Sequence, residues 1–182
     1  MPTMHDPGPR IAAALDRLRE LTAQRPEFGR GTVNTSVCEL GDVTQVVARE
    51  KAFMIESDLG QPPGGGGTAP SPTMLVRAAL GACLAMGYRL RAAEAGVVLD
   101  AVRVTVESES DVRGLLDPDG CVAPGFSALR YHVEIDSPAD PRELERVVEL
   151  GDRMSPVLDL LGRTNAITRT VAFGPLPLGA EA

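Results

Sequence analysis

A chain of 182 residues is long enough for one domain with a real core, or one domain with an appendage. Eighteen basic residues against 25 acidic ones give a net charge of −7, which argues against nucleic acid or an anionic membrane as the main partner. Aromatic residues make up 3% with no tryptophan, so stacking platforms for single-stranded nucleic acid are not expected either.

The first ten residues, MPTMHDPGPR, contain no apolar run of the kind a secretory signal needs. The longest uncharged run inside a helix, Ala78 to Tyr88, is too short to span a bilayer. Three widely spaced cysteines, Cys38, Cys83 and Cys121, form neither a disulfide framework nor a metal-ligand pattern. The expectation is a cytoplasmic protein with reduced thiols.

Residues 1–8 are expected to be disordered. From Pro9 to Arg25, Ile11, Leu15, Leu18 and Thr22 recur at helical spacing, and Pro26 closes the segment. Asp16, Arg17, Arg19 and Glu20 fall off that stripe, so the helix is amphipathic and packs on its own body or on a neighbouring subunit. Three short strands follow, Gly31–Leu40, Val43–Arg49 and Ala52–Ser57, the first two joined by a turn at Gly41–Asp42. Cys38 is out of phase with Val33, Thr35 and Val37 and faces the other side of its strand. With no basic neighbour, it is read as a structural or surface thiol. The loop from Gly60 to Pro70 contains four consecutive glycines but no Gly-Lys-Ser/Thr tail and no glycine fingerprint opening into a helix. It is read as a flexible connector and not as a phosphate cradle.

A long Ala- and Leu-rich helix then starts at Ser71 or Pro72 and ends at Gly96, about 24 residues and about 36 Å. On a helical wheel Val76, Ala79, Leu80, Met86, Gly87 and Leu90 cluster within about 60° of Cys83. Ala78, Gly81 and Ala85 make a small-residue face opposite, and the charges Arg77, Arg89 and Arg91 fall on the flanks. A helix of this kind is buried between layers, which directs Cys83 into a packed interior or an interface. Pattern alone leaves two readings of Cys83, a small buried hydrophobe or a reactive thiol.

Leu99–Ser108 alternates through Val102, Val104 and Val106 as a half-buried strand. Residues Asp111–Gly125 are loop and contain Cys121. Phe126–Asp136 returns as a strand with Leu129, Tyr131, Val133 and Ile135 on one face. Asp140-Pro141-Arg142-Glu143 opens a helix as N-cap, N1 proline and capping box, with Leu144, Val147 and Val148 as its apolar stripe and Gly151 as its end. Ser155-Pro156 opens a second, short helix to Gly162, and Asn165–Phe173 is a last strand candidate. The order of elements is that of an α+β fold with antiparallel sheets wrapped on a central helix. His5 and His132 do not make a metal cluster, no Ser-His-Asp arrangement can be built, and His132 is read as a structural residue.

The stretch PSPTMLVRAALGACLAMGYRLRAAEAG, followed by a Val-alternating strand, resembles the central motif of the OsmC/Ohr family. VRGLLDPDG, APGFSALRYHVEI and DPRELERVVELGDRMSPVLDLLGR extend the likeness over roughly residues 31 to 173. The resemblance implies an intertwined homodimer, with two curved antiparallel sheets around two long central helices and active sites at the subunit interface. It divides the chain into an N-terminal extension (1–29), an OsmC-like domain (30–174) and a tail (175–182). Members of the family reduce organic hydroperoxides with a reactive cysteine, and a second cysteine forms a disulfide that external thiols recycle.

Cys83 matches the reactive cysteine of that motif. The second cysteine belongs to a Cys-Pro-Val motif, which here is Ser155-Pro156-Val157, and a serine cannot close a disulfide. Where the family carries a glutamate this chain has Thr73 or Met74. The family's arginine comes from the N-terminal hairpin, where the turn Glu39–Asp42 has none and Arg30 and Arg49 are the nearest candidates. The resemblance therefore implies a thiol peroxidase working through Cys83 alone, resolved by an external thiol or by Cys121. The alternative is a non-catalytic dimer that binds a lipophilic small molecule in an apolar pocket near Cys83, Met74, Met86 and Leu158. No cofactor is expected in either case.

Overall fold

A computed structural model describes residues 6–174. The elements are α1 (Gly8–Gln24), β1 (Val37–Leu40), β2 (Val46–Glu50), β3 (Phe53–Ser57), α2 (Pro72–Ala95), β4 (Ala101–Ser110), a 3-10 turn (Val112–Leu115), β5 (Phe126–Asp136), α3 (Pro141–Arg153) and α4 (Pro156–Gly162). The fold is α+β with antiparallel sheets, as the pattern predicts: β1-β2-β3 form one sheet and β4-β5 the other. The residues fall into two compact units, 6–28 with Arg77–Arg163, and Gly29–Val76 with 164–174. His5 and the tail from 175 lie outside the described residues.

The first unit holds the core. Leu80, Leu84, Tyr88 and Ala92 recur every four residues along α2 and are buried, together with Leu99 and Val147. Val102, Val104, Val106, Leu129, Val133 and Ile135 pack on them from the β4-β5 sheet, and Leu144 and Val148 from α3. Each fully buried aliphatic side chain is worth about 1.5–3 kcal/mol. The buried stripe of α2 is therefore not the one centred on Cys83: it is turned toward Leu84 and Tyr88, and Met86 stays exposed. The small-residue face has the expected use, since Gly81 lies against Val106 and the Val104 carbonyl. Gly96, at φ +68°, ends the helix in the left-handed conformation a C-cap glycine supplies.

Gly151 does not end α3, which continues to Arg153. It sits inside the helix because the Tyr88 ring occupies the place of its side chain: a Cβ there would stand 2.4 Å from Tyr88 Cδ1. Asp140 caps α3 by accepting from the Arg142 N–H at 2.8 Å, and Ser155 caps α4 by accepting from the Leu158 N–H at 3.3 Å. Helix α1 starts at Gly8, whose N–H is held by the Asp6 carboxylate at 2.9 Å, earlier than the composition of residues 1–8 suggests.

In the second unit the strands are shorter than predicted. β1 pairs only over Val37–Leu40, opposite Val46–Arg49 of β2; Ser36, next in register, meets Glu50 through its side chain, its Oγ donating to the carboxylate. Residues 41–45 are a turn, closed by the Gly41 N–H on the Gln45 carbonyl at 2.8 Å, with Val43 at φ +53°. The expected last strand, Asn165–Phe173, takes no strand pairing among the described residues.

The glycine loop is not a free connector. Asp58, 2% exposed, accepts from Thr44 Oγ1 at 2.6 Å and from the Thr68 N–H and Oγ1 at 3.0 and 2.9 Å. Its own N–H bonds to the Pro70 carbonyl, and the Gly67 N–H bonds to that of Leu59. The hydrogen bond from Thr44 and those from Thr68 outweigh the opposing effect of burial and hold the carboxyl at about 2.

Two outcomes follow from this packing. Gly151→Ala overpacks the α2–α3 contact and is expected to cost about 1–3 kcal/mol, read as a lower denaturant midpoint at unchanged slope. Because the Asp58 carboxyl is depressed in the folded chain, its stabilisation is complete above the unfolded value of about 3.9. It is lost as pH falls through about 2. Denaturant curves of wild type and Asp58→Asn should accordingly differ most near neutrality and converge toward pH 2; a gap independent of pH would refute this role.

Candidate active site

Cys83 lies midway along α2, one turn after Ala79 and one before Gly87, on the half-exposed stripe beside the buried one. It opens into a cavity of about 470 Å³ lined by apolar residues of α2 (Ala79, Met86, Leu90) and of the α3–α4 junction (Met154, Pro156, Val157). The expected pocket is thus present with a different wall. Leu158 packs into the core, and Met74, half-exposed in the first turn of α2, is not among the lining residues.

Ser155 is the polar group next to the sulfur. Its Oγ stands 3.3 Å from Cys83 Sγ, and the residue is 1% exposed. The position is set locally: Asp140 and Pro141 start α3, the helix ends at Arg153, and Pro156 starts α4 at once, leaving Ser155 as the cap between them. Since the Leu158 N–H occupies one of its lone pairs, its hydroxyl hydrogen is free for the sulfur.

Both hairpin arginines suggested by the sequence belong to the second unit. Arg49 pairs with Glu39 at 3.0 Å on the surface of the β1-β2 hairpin, and Arg30 is exposed. The cation of the cavity is Arg91, which sequence reasoning set aside as a flank charge. The signal was available, because Arg91 lies two turns beyond Cys83 on the same helix. Its guanidinium, 8% exposed, bonds through Nη1 to Glu94 at 2.6 Å and to Met154 Sδ at 3.2 Å. Glu94 also pairs with Arg19 of α1. Burial, and then the nearby charge of Arg19, pulls the Arg91 guanidinium below its ordinary value.

A second polar group braces the junction. The Asp152 carboxylate accepts from Tyr88 Oη at 2.6 Å and from Tyr131 Oη at 2.9 Å. Burial and this carboxylate raise both tyrosines above their usual range, so they stay protonated donors. Cys38 and Cys121 are free and exposed, and His132 stands on β5 opposite Thr105. Among the described residues no cluster of His, Cys, Asp or Glu could hold a metal ion, and no helix is long and apolar enough to cross a membrane.

The same architecture occurs in solved structures. An OsmC-like protein from Mycoplasma pneumoniae superposes with a TM-score of 0.62 at 17% identity, over 72% of this chain and 89% of that one. An organic hydroperoxide resistance protein OsmC from Legionella pneumophila gives 0.53 at 20% identity, over 72% and 90%. An organic hydroperoxide resistance protein from Elizabethkingia anophelis gives 0.53 at 17%, over 71% and 89%. No curated protein matches the chain. Residues 64–170, more than half of the sequence and including α2, Cys83 and Ser155, match the family model described as OsmC-like protein. The chain belongs to the OsmC-like protein family.

Proposed function

We propose that the chain is a thiol peroxidase for organic hydroperoxides that works through one cysteine, Cys83. The observation that carries this reading is the Cys83 sulfur in the wall of an apolar cavity with a hydroxyl 3.3 Å away. The names of the similar structures from Legionella and Elizabethkingia support the substrate class. The thiolate attacks the distal oxygen of the hydroperoxide, the O–O bond breaks, and the alkoxide leaves and is protonated to the alcohol. Sulfur is oxidised by two electrons to the sulfenic acid. A thiolate can only accept, so Ser155 is the donor that steadies charge on the sulfur.

Ser155 cannot form the disulfide that would follow. An external thiol therefore condenses with the sulfenic acid, releasing water, and a second thiol frees Cys83. Cys121, exposed in its loop, is the internal alternative to that external thiol. The proposed working form is a homodimer acting in the cytoplasm; the dimer is supported by Leu40, Phe53, Met54 and Ile55, which β1 and β3 leave exposed. The second reading, a non-catalytic binder of a lipophilic molecule, is favoured by one fact: Arg91 is bonded to Glu94 and Met154, not to the sulfur.

Stopped-flow mixing of the reduced protein with cumene hydroperoxide separates the two. Fast stoichiometric oxidation that disappears in Cys83→Ser is the expected result; oxidation no faster than that of free cysteine would leave the binding reading. Ser155→Cys places a thiol where the hydroxyl now touches Cys83. Under the same treatment it is expected to close an intramolecular disulfide, seen as the loss of two titratable thiols. Losing the cap costs that variant about 0.5–2 kcal/mol. An introduced thiol that remained free beside an oxidised Cys83 would contradict the geometry.

A further inference from the structure

Arg91 holds a poorer partner than it could. Its Nη1 is shared between a carboxylate, Glu94, and a thioether, Met154 Sδ, which is a weak acceptor. Met154 is the C-cap of α3, immediately before Ser155. It is 56% exposed, and it lines the same cavity as Cys83. A molecule that enters to meet the Cys83 sulfur therefore also meets a second sulfur, one with a guanidinium against it.

We propose that Met154 is an oxidation site of this cavity, converted to the sulfoxide by the hydroperoxide that serves Cys83 and held in that state by Arg91. The proposal rests on the reading of the cavity as a hydroperoxide site. A lone pair of Met154 Sδ attacks the distal peroxide oxygen and an S–O bond forms. The O–O bond breaks, and the peroxide's own proton passes to the departing alkoxide, giving the alcohol. Sulfur loses two electrons and the peroxide gains them, so no further reactant is needed. The Nη1–H bond to Sδ opens as the sulfur attacks, and the freed Arg91 N–H then stabilises the charge that develops on the departing oxygen. The sulfoxide oxygen then replaces the thioether as a strong, charge-assisted acceptor. That competes with Glu94 for Nη1 and alters the residue that precedes Ser155, which makes the modification a signal of unresolved peroxide at the site. Methionine sulfoxide reductases reverse it.

Met86 is the internal control: it lines the same cavity, is 62% exposed, and among the described residues makes no hydrogen bond to a cation. The Cys83→Ser protein, which cannot consume the oxidant at the thiol, is treated with cumene hydroperoxide. Gain of one oxygen at each methionine is then followed by peptide mass mapping. Oxidation of Met154 about ten-fold faster than Met86 is expected, the rate equivalent of one hydrogen bond to a charged group. Equal rates, or a faster Met86, overturn the proposal. Arg91→Gln in the same background should remove the difference; if the difference survives in a folded variant, the assignment to Arg91 is wrong. Wild type separates this site from the peroxidase reading. Rapid Met154 oxidation beside an inert Cys83 supports the site and sinks the peroxidase. Rapid Cys83 oxidation with Met154 no faster than Met86 does the reverse, and no reaction at either sulfur overturns both.

Discussion

Helix α2 is apolar on more than one side, and the burial of its Leu80–Leu84–Tyr88–Ala92 stripe against the β4-β5 sheet and α3 decides where its other residues point. At four-residue spacing each overshoots the turn by about 40°, so the seam winds about 120° around α2 from Leu80 to Ala92. Rotating the helix to bury Cys83 would bring Met86 and Leu90 inward and expose Tyr88, whose hydroxyl would lose the Asp152 carboxylate. The packing term and the polar term thus favour the same rotation. Cys83 is left at the margin, half-buried, where a cavity can form beside it.

The α3–α4 junction is fixed residue by residue against that helix. Gly151 gives room to the Tyr88 ring, Asp152 takes the two tyrosine hydroxyls, Met154 takes Arg91, and Ser155 meets Cys83. Four of five consecutive residues are tied to α2, so the distance between sulfur and hydroxyl does not depend on the serine rotamer alone. Catalytic geometry tolerates little looseness, and sites on rigid elements hold it better than sites on loops. Here the rigidity comes from a glycine and a carboxylate with no contact to the sulfur.

Much of this was legible in the sequence, and the exceptions share a cause. The bounds of α2, the caps at Asp140 and Ser155 and the whole of β5 follow from local signals: periodicity, N-cap chemistry and alternation. A wheel apolar on several sides does not say which stripe packs within the chain, and that stripe runs through Leu80, Leu84 and Tyr88, beside Cys83. Residues 31–36 and 165–173 carry strand-like alternation, but a strand exists only where another edge accepts its hydrogen bonds, and that is a property of the partner. Gly151 was taken for a helix end when its reason lies 63 residues away, in Tyr88. Arg91 looked like a flank charge because its burial requires Glu94 and Met154 together. The Gly60–Pro70 loop looked loose because its order comes from one buried carboxylate, Asp58, outside it.

Ser155 shows how one residue can satisfy a structural and a chemical demand at once. As an N-cap, serine is among the favoured residues, so the fold alone accounts for its presence. The cap, however, uses a lone pair and leaves the hydroxyl hydrogen unspent, and the nearest sulfur is that of Cys83. A cysteine here would be a poorer cap and a second redox centre; alanine would leave both the Leu158 N–H and the sulfur without this partner. Serine keeps the cap and offers the Cys83 sulfur a hydroxyl, and it cannot close a disulfide with it. In the proposed one-cysteine cycle the sulfenic acid is then resolved by Cys121 or by an external thiol, and the apolar walls of the cavity favour an external carrier with an apolar body.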